Sequence, residues 1–161
     1  VVSITQVHGG ETWNVIPESV VLRGTTRFFK PEIQDRVEQA LRDLVRHAAA
    51  AHGVAAEIRY ERRYPALVNH AAETELAARV AADIVGEANV DRDPMPAMAS
   101  EDFAFMLQER PGAYINVGNG PGEGGCYLHN PHYNFNDAAL TFGASWWARL
   151  VETYLAEAET R

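Results

Sequence analysis

The sequence has one cysteine, Cys126, in 161 residues. No internal disulfide can form, so stability has to come from burial, and a reducing, cytoplasmic setting is expected. Basic charge is also scarce: Lys and Arg total 14 against 22 Asp and Glu, a formal net charge of −8. That balance points away from nucleic acid, whose phosphates select for clustered cations. No apolar run approaches the roughly 20 residues of a membrane-spanning helix, so no membrane partner is expected. The segment GNGPGEGG (118–125) is rich in glycine but lacks the G-x-x-x-x-G-K-[ST] run of a phosphate cradle. Neither an initiator Met nor the charged head of a signal peptide precedes the opening VVSITQV. A start in mid-strand predicts a fragment or processed piece of a longer protein.

Apolar residues make up 47% and charged residues 22%, the balance of a soluble globular chain with one buried domain or two small ones. Alternation predicts a strand at 2–8, a turn at Gly9–Gly10 and a second extended stretch at 20–29. Pro31 and Glu32 open a helix expected to reach His52, with Ile33, Val37, Leu41, Leu44, Val45 and Ala48 on its apolar stripe and Gly53 as its stop. A third strand is expected at 54–64, alternating Val54, Ala56, Ile58 and Tyr60 with charged residues. The order β-β-α-β is what a split β-α-β unit leaves when its first strand and helix are removed. Beyond Pro65 the texture changes. An Ala-rich helix is expected at 73–88 with Leu76, Val80, Ile84 and Val85 on one face. Ser100 is read as the N-cap of a short helix ending near Glu109, and 113–117 as a short strand. A last helix from Asp137 is expected to bury Leu140, Ala144, Trp147, Val151 and Leu155.

The segment LHNPHYNFND (128–137) carries the strongest chemical signal. It holds His129 in a polar loop closed by Pro131, next to a helix start, which suits a metal ligand. A catalytic zinc-type site needs about three protein ligands, however, and one imidazole cannot supply them. Most loop histidines are structural or solvated, and the same reading applies to His8, His47, His52, His70 and His132. Glu101 and Asp102 are adjacent, so on a helix they point apart and serve the dipole rather than form an acid/base pair. Cys126 has no base placed to activate it. Arg27 is a fork that can grip a carboxylate through two bonds, although a strand arginine is more often a cross-strand partner.

Five strings occur in order over about 125 residues: NVIP (14–17), GTTR (24–27), MASEDFA (98–104), PGAYINVGNG (111–120) and LHNPHYNFND (128–137). Together they resemble the metal-dependent aminoacylase/carboxypeptidase family of amidohydrolases, in its hippurate hydrolase and N-acyl-amino-acid amidohydrolase branch. The resemblance covers this whole chain but only the C-terminal portion of the family's length. It implies an α/β architecture in two parts. Residues 1–64 would form a partial ferredoxin-like lid and dimerisation domain lacking its first strand and helix. Residues 65–161 would form the C-terminal part of a zinc-peptidase-like catalytic domain.

The same resemblance implies metal-assisted hydrolysis of the amide bond of N-acyl amino acids, using two divalent ions (Zn, Mn, Co or Ni) and a glutamate base. His129 matches the family's C-terminal metal-binding histidine. Asn14 and Arg27 match lid residues that approach the substrate, with Arg27 on its α-carboxylate, and Gly118 matches the pocket-lining loop. The remaining ligands and the base would lie before residue 1, so the chain alone is expected to be inactive and not to hold the ions. A homodimer through the lid is implied. Asn134 departs from the branch, which has Asp there. A rival reading is a non-catalytic dimerisation or binding module of the same origin.

Overall fold

The computed structural model describes residues 1–120 and 128–159. Its elements are β1 (Val2–His8), β2 (Val21–Thr26), α1 (Pro31–Ala51), α2 (Ala71–Val85), α3 (Phe103–Glu109) and α4 (Ala138–Glu159), with a 3-10 turn at Glu87–Asn89. The chain divides into two compact units, 1–67 with 96–105 and 68–95 with 106–161.

In the first unit β1 and β2 form an antiparallel pair, Val2 opposite Thr26 and His8 opposite Val21, with a bulge between Ile4 and Gln6. Gly24 sits at that irregularity. A Cβ there would fall on the Ser3 carbonyl oxygen and within 2.9 Å of the Ile4 side chain, so the strands can approach only with glycine at this position. The far end of the pair is closed by backbone: the Val1 ammonium donates to the Arg27 carbonyl at 2.8 Å, and the Arg27 N–H donates to the Val1 carbonyl at 2.9 Å.

Helix α1 begins at Pro31, whose missing N–H would be unpaired there in any case. It ends at Ala51, with Gly53 in the left-handed region at φ 65°. Val37, Leu41 and Val45 are half-buried as the stripe predicts, but Ile33, Leu44 and Ala48 are exposed, Leu44 by 65%.

The expected strand at 54–64 is not one. Among the described residues the sheet has two strands. Alternation reports which side chains share a face: Ile58 and Tyr60 are half-buried between exposed Glu57, Arg59 and Glu61, whereas Val54 and Ala56 of the expected face are exposed. A ladder also needs a partner backbone. This segment is held by side chains instead: Tyr60 Oη meets Thr26 Oγ1 at 2.8 Å, and Arg42 donates to the Ile58 carbonyl at 3.4 Å. Arg62 bridges Asp35 and Glu38 of α1 at 2.7 and 2.8 Å.

The second unit is built on the packing of α2 against α4. Ala77 and Val80 of α2 and Trp146 of α4 are buried, with Leu76, Ala81, Ile84, Ala113, Ile115 and Leu150 packed around them. Trp146 Nε1–H donates to the Ala77 carbonyl at 3.1 Å, giving the indole a partner in an otherwise apolar setting. Helix α2 stops at Val85 rather than at 88, because Gly86 turns left-handed at φ 84°.

The face of α4 is also a correction. The buried or half-buried positions are Ala139, Gly143, Trp146, Leu150, Thr153 and Glu157. The expected core residues Leu140, Trp147, Val151 and Leu155 are 59%, 64%, 54% and 56% exposed, and Ala144 is exposed too. The two stripes are offset by one residue, about 100° of helix rotation. Both have helical spacing, so period alone cannot choose between them. Ala139 and Gly143 are small, which lets the smaller-residue side of α4 approach an Ala-rich partner.

Candidate functional site

The second unit carries the His129 loop, and its position depends on the core. Ala113 and Ile115 pack on the α2–α4 core, yet 113–117 is not a strand. The carboxamide of Asn69 does what a neighbouring strand would do. Its Nδ2 donates to the Tyr114 carbonyl at 2.9 Å and its Oδ1 accepts the Tyr114 N–H at 2.8 Å. His70 extends the arrangement: its N–H donates to the Gly112 carbonyl at 3.0 Å, and its Nδ1 accepts the Gly112 N–H at 3.2 Å. His70 is thus a structural histidine, as expected.

The chain then passes Gly118, which is exposed with open space where a side chain would be. At Asn119 it meets the C-terminal end of the His loop. Asn119 Nδ2 donates to the Asn134 carbonyl at 3.0 Å, while its Oδ1 accepts the Asn136 N–H at 2.8 Å. Asn136 Nδ2 donates back to the Asn119 carbonyl at 3.0 Å. Asn136 also starts α4: its Oδ1 accepts the Ala138 N–H at 3.1 Å and its carbonyl accepts the Ala139 N–H at 2.8 Å. Asn136 thus caps the helix, whose first residue is Ala138, next to the Asp137 start expected from sequence. Asparagine's strong N-cap preference is the sequence signal for it.

His129 itself lies in an exposed turn with φ 70°, the one non-glycine residue at positive φ among those described. Asn130 organises the turn after it, its Oδ1 accepting the His132 N–H and its carbonyl the Tyr133 N–H, both at 2.9 Å. His129 is exposed, and its ring has no hydrogen-bond partner among the described residues. It is a suitable donor for Zn, Mn, Co or Ni. It is one donor only: the described residues contain no group of three His, Cys, Asp or Glu able to hold an ion. The donor fits a divalent metal and the set here is incomplete. Cys126 and the Gly-rich stretch past Gly120 lie outside the described residues.

The other two candidates belong to the first unit. Arg27 follows β2, half-buried, with its backbone fixed on both sides by Val1 and its Nη1 donating to the Thr26 carbonyl at 2.9 Å. No carboxylate among the described residues pairs with it. Asn14 lies in the exposed segment between β1 and β2, near Trp13 and Ile16, which are 106% and 94% exposed. Gly118 and His129 thus share the second unit, and Asn14 and Arg27 the first. Glu101 and Asp102 precede α3, which begins at Phe103. The Glu101 carboxylate accepts the Phe103 N–H at 3.4 Å.

Shifted ionisable groups sit elsewhere. Glu38 is held below the ordinary glutamate range by hydrogen bonds from Arg42 and Arg62, Glu61 by Arg63 and Glu87 by Arg92. These are ion-pair staples. Among the described residues His8 meets Gln6 Oε1, at 3.3 Å on the exposed strand.

Residues 4–153 match the model of peptidase family M20/M25/M40. The chain belongs to this family. A hippurate hydrolase of Campylobacter jejuni is 32% identical over 96% of this M20 chain, which spans 40% of that protein. An N-acetyl-L-cysteine deacetylase of Bacillus subtilis is 31% identical over 87% of the chain, 32% of its own length. An IAA-amino acid hydrolase ILR1-like 2 of Arabidopsis thaliana is 31% identical over 98% of the chain, 36% of its own length. Among solved structures, the Bacillus subtilis YXEP protein, described as a dinuclear metal binding peptidase from the M20 family, superposes with a TM-score of 0.67. It shares 28% identity over 93% of this chain and 40% of its own. The M20 chain therefore spans between about a third and two-fifths of the length of these relatives. Its mixed architecture of helices with a small sheet matches that of an M20 peptidase. No helix among the described residues is long and apolar enough to cross a membrane.

Proposed function

We propose that this chain is the C-terminal portion of a two-metal amidohydrolase that cleaves the amide bond of N-acyl amino acids. The observation that carries the reading is the family match over 4–153 together with relatives whose names share one bond, an acyl group joined to an amino acid. In this reading residues 1–64 are a ferredoxin-like lid lacking its first strand and helix, through which two copies associate. Residues 65–161 are the closing part of the catalytic domain.

His129 is one ligand of the two divalent ions, which when bound activate water and polarise the scissile carbonyl. Arg27 supplies a planar fork for the substrate's free carboxylate, Asn14 adds a polar contact, and the main chain at Gly118 lines the pocket. Arg27 without a carboxylate partner among the described residues and the exposed His129 support these roles. The exposed stripe of α4 supports the larger domain: Leu140, Trp147, Val151 and Leu155 form an apolar face of the kind that marks a packing surface.

The test is hydrolysis of hippurate and N-acetyl amino acids by the full-length gene product, before and after chelation and after return of Zn, Mn, Co or Ni. Activity lost with the ions and regained with them is expected, with the 161-residue chain inactive. A full-length product that cleaves none of these amides at any metal loading overturns the reading. So does a 161-residue chain that is as active as the full-length product.

A further inference from the structure

We propose that Asn119 and Asn136 are positioning residues that hold the His129 loop in its ion-binding conformation. The proposal rests on the reading of His129 as a ligand. A non-glycine residue in the left-handed region is held there only when its surroundings over-determine it. Asn130 shapes the loop internally through the His132 and Tyr133 N–H groups, but those bonds do not tie it to the rest of the unit. The Asn119–Asn136 clasp does. Three hydrogen bonds of 2.8 to 3.0 Å from these two side chains close the neck of the loop. On one side Asn119 continues the 113–115 segment, which is fixed in the core by Asn69. On the other, Asn136 caps α4, which holds Trp146 in the same core.

The clasp is specific to amides. Each carboxamide uses both ends: Asn119 donates to the Asn134 carbonyl and accepts from the Asn136 N–H, while Asn136 donates to the Asn119 carbonyl and caps Ala138. Aspartate at 136 would keep the cap and lose the neck bond that Nδ2 donates to the Asn119 carbonyl. The fit is also close, since a Cβ at Gly120 would lie 3.3 Å from Asn136 Nδ2. Residue 134 takes part through its main-chain carbonyl, so the neutral side chain found there does not weaken the clasp. A metal–ligand bond tolerates only about 0.2 Å of misplacement, so loosening the neck should be felt at the ion.

The experiment uses the full-length protein with Asn119→Ala, Asn136→Asp, both together, and His129→Ala. Bound metal is counted by mass spectrometry and its affinity measured by chelator competition, beside the melting midpoint of the metal-free form. Each Asn variant should bind one of the two ions about 10–100-fold more weakly, the range for groups that orient a ligand. The metal-free Asn136→Asp protein should melt near the parent, and the double variant, which removes all three neck bonds, should bind the ion at least as weakly as the worse single one. If His129→Ala loses an ion while both Asn variants hold theirs at parental affinity, the clasp is overturned and the ligand reading stands. If His129→Ala keeps both ions, the ligand reading fails first. Metal affinity that falls only in step with metal-free melting would mark the pair as structural and also overturn the proposal.

Discussion

Trp146 and Trp147 are neighbours in sequence and opposites in the fold, which makes them a sensitive test of how α4 is packed. Trp146 is 6% exposed and bonded to the Ala77 carbonyl, whereas Trp147 is 64% exposed and meets its neighbour edge-on at 4.7 Å. Trp146→Ala removes a buried ring beside Ala77 and Val80 and should cost about 3–5 kcal/mol. Trp146→Phe keeps most of the apolar body and loses the indole donor, costing about 1 kcal/mol for the bond and somewhat more for the space left. In the 161-residue chain Trp147→Ala forfeits little beyond the edge-on pairing, about 0.5–1.5 kcal/mol. With a urea slope of about 1–3 kcal/mol per molar, the two alanine variants should differ in unfolding midpoint by about 1–2 M. Far-UV circular dichroism and tryptophan emission can track the transition, because Trp13 is fully exposed and contributes an almost constant background. Trp146→Phe guards against an alanine variant that never folds. Equal losses at 146 and 147, or a larger loss at 147, would refute the packing of α4 through its Trp146 side.

Other consequences can be checked as directly. Gly24→Ala should cost about 1–3 kcal/mol, the range for overpacking, because its methyl meets the Ser3 carbonyl; faster amide exchange along β1 is the measurement. Glu38 is held below the ordinary value of 4.5 by Arg42 and Arg62. Its stabilisation should therefore be complete at neutral pH and lost as pH falls below 4.5 toward the lower folded value. Glu38→Gln should flatten the fall in melting midpoint across that window, and salt should shrink the difference; parallel profiles would exclude the ion pair as the cause. In the full-length protein, Arg27→Lys should raise KM for an N-acyl amino acid about 10-fold or more with a smaller change in kcat, since a point charge replaces a two-bond fork. An unchanged KM would remove Arg27 from the substrate's carboxylate.

The parts of the fold legible in sequence are those with local causes. β1, the start of α1 at Pro31 and the stop at Gly53 come from alternation, a fixed φ and a left-handed glycine, none of which needs a distant partner. The segments 54–64 and 113–117 are not strands for a shared reason. Their alternation is real, but the bonds that fix them come from the side chains of Tyr60, Arg42 and Asn69, and no periodicity encodes those. The loop around His129 is visible as a string of residues. Its anchoring through Asn119 is not, because the two ends of the clasp lie 17 positions apart and each asparagine alone reads as a turn former.

Helix α4 shows why the burial pattern and the functional reading must be taken together. Its sequence carries two apolar stripes of equal period, one against α2 and one open. A helix apolar on both sides is suited to burial between two partners. The α2 side satisfies one of them within this chain. Opening Leu140, Trp147, Val151 and Leu155 to water forgoes about 1.5–3 kcal/mol for each side chain that full burial would secure. The open stripe reads as core in the sequence because its side chains are larger. A larger catalytic domain covering that face would bury both stripes, each in contact with a different neighbour. The clasp at Asn136 gains from the same arrangement, since a helix packed on two sides gives the His129 loop a firmer base than one packed on a single side.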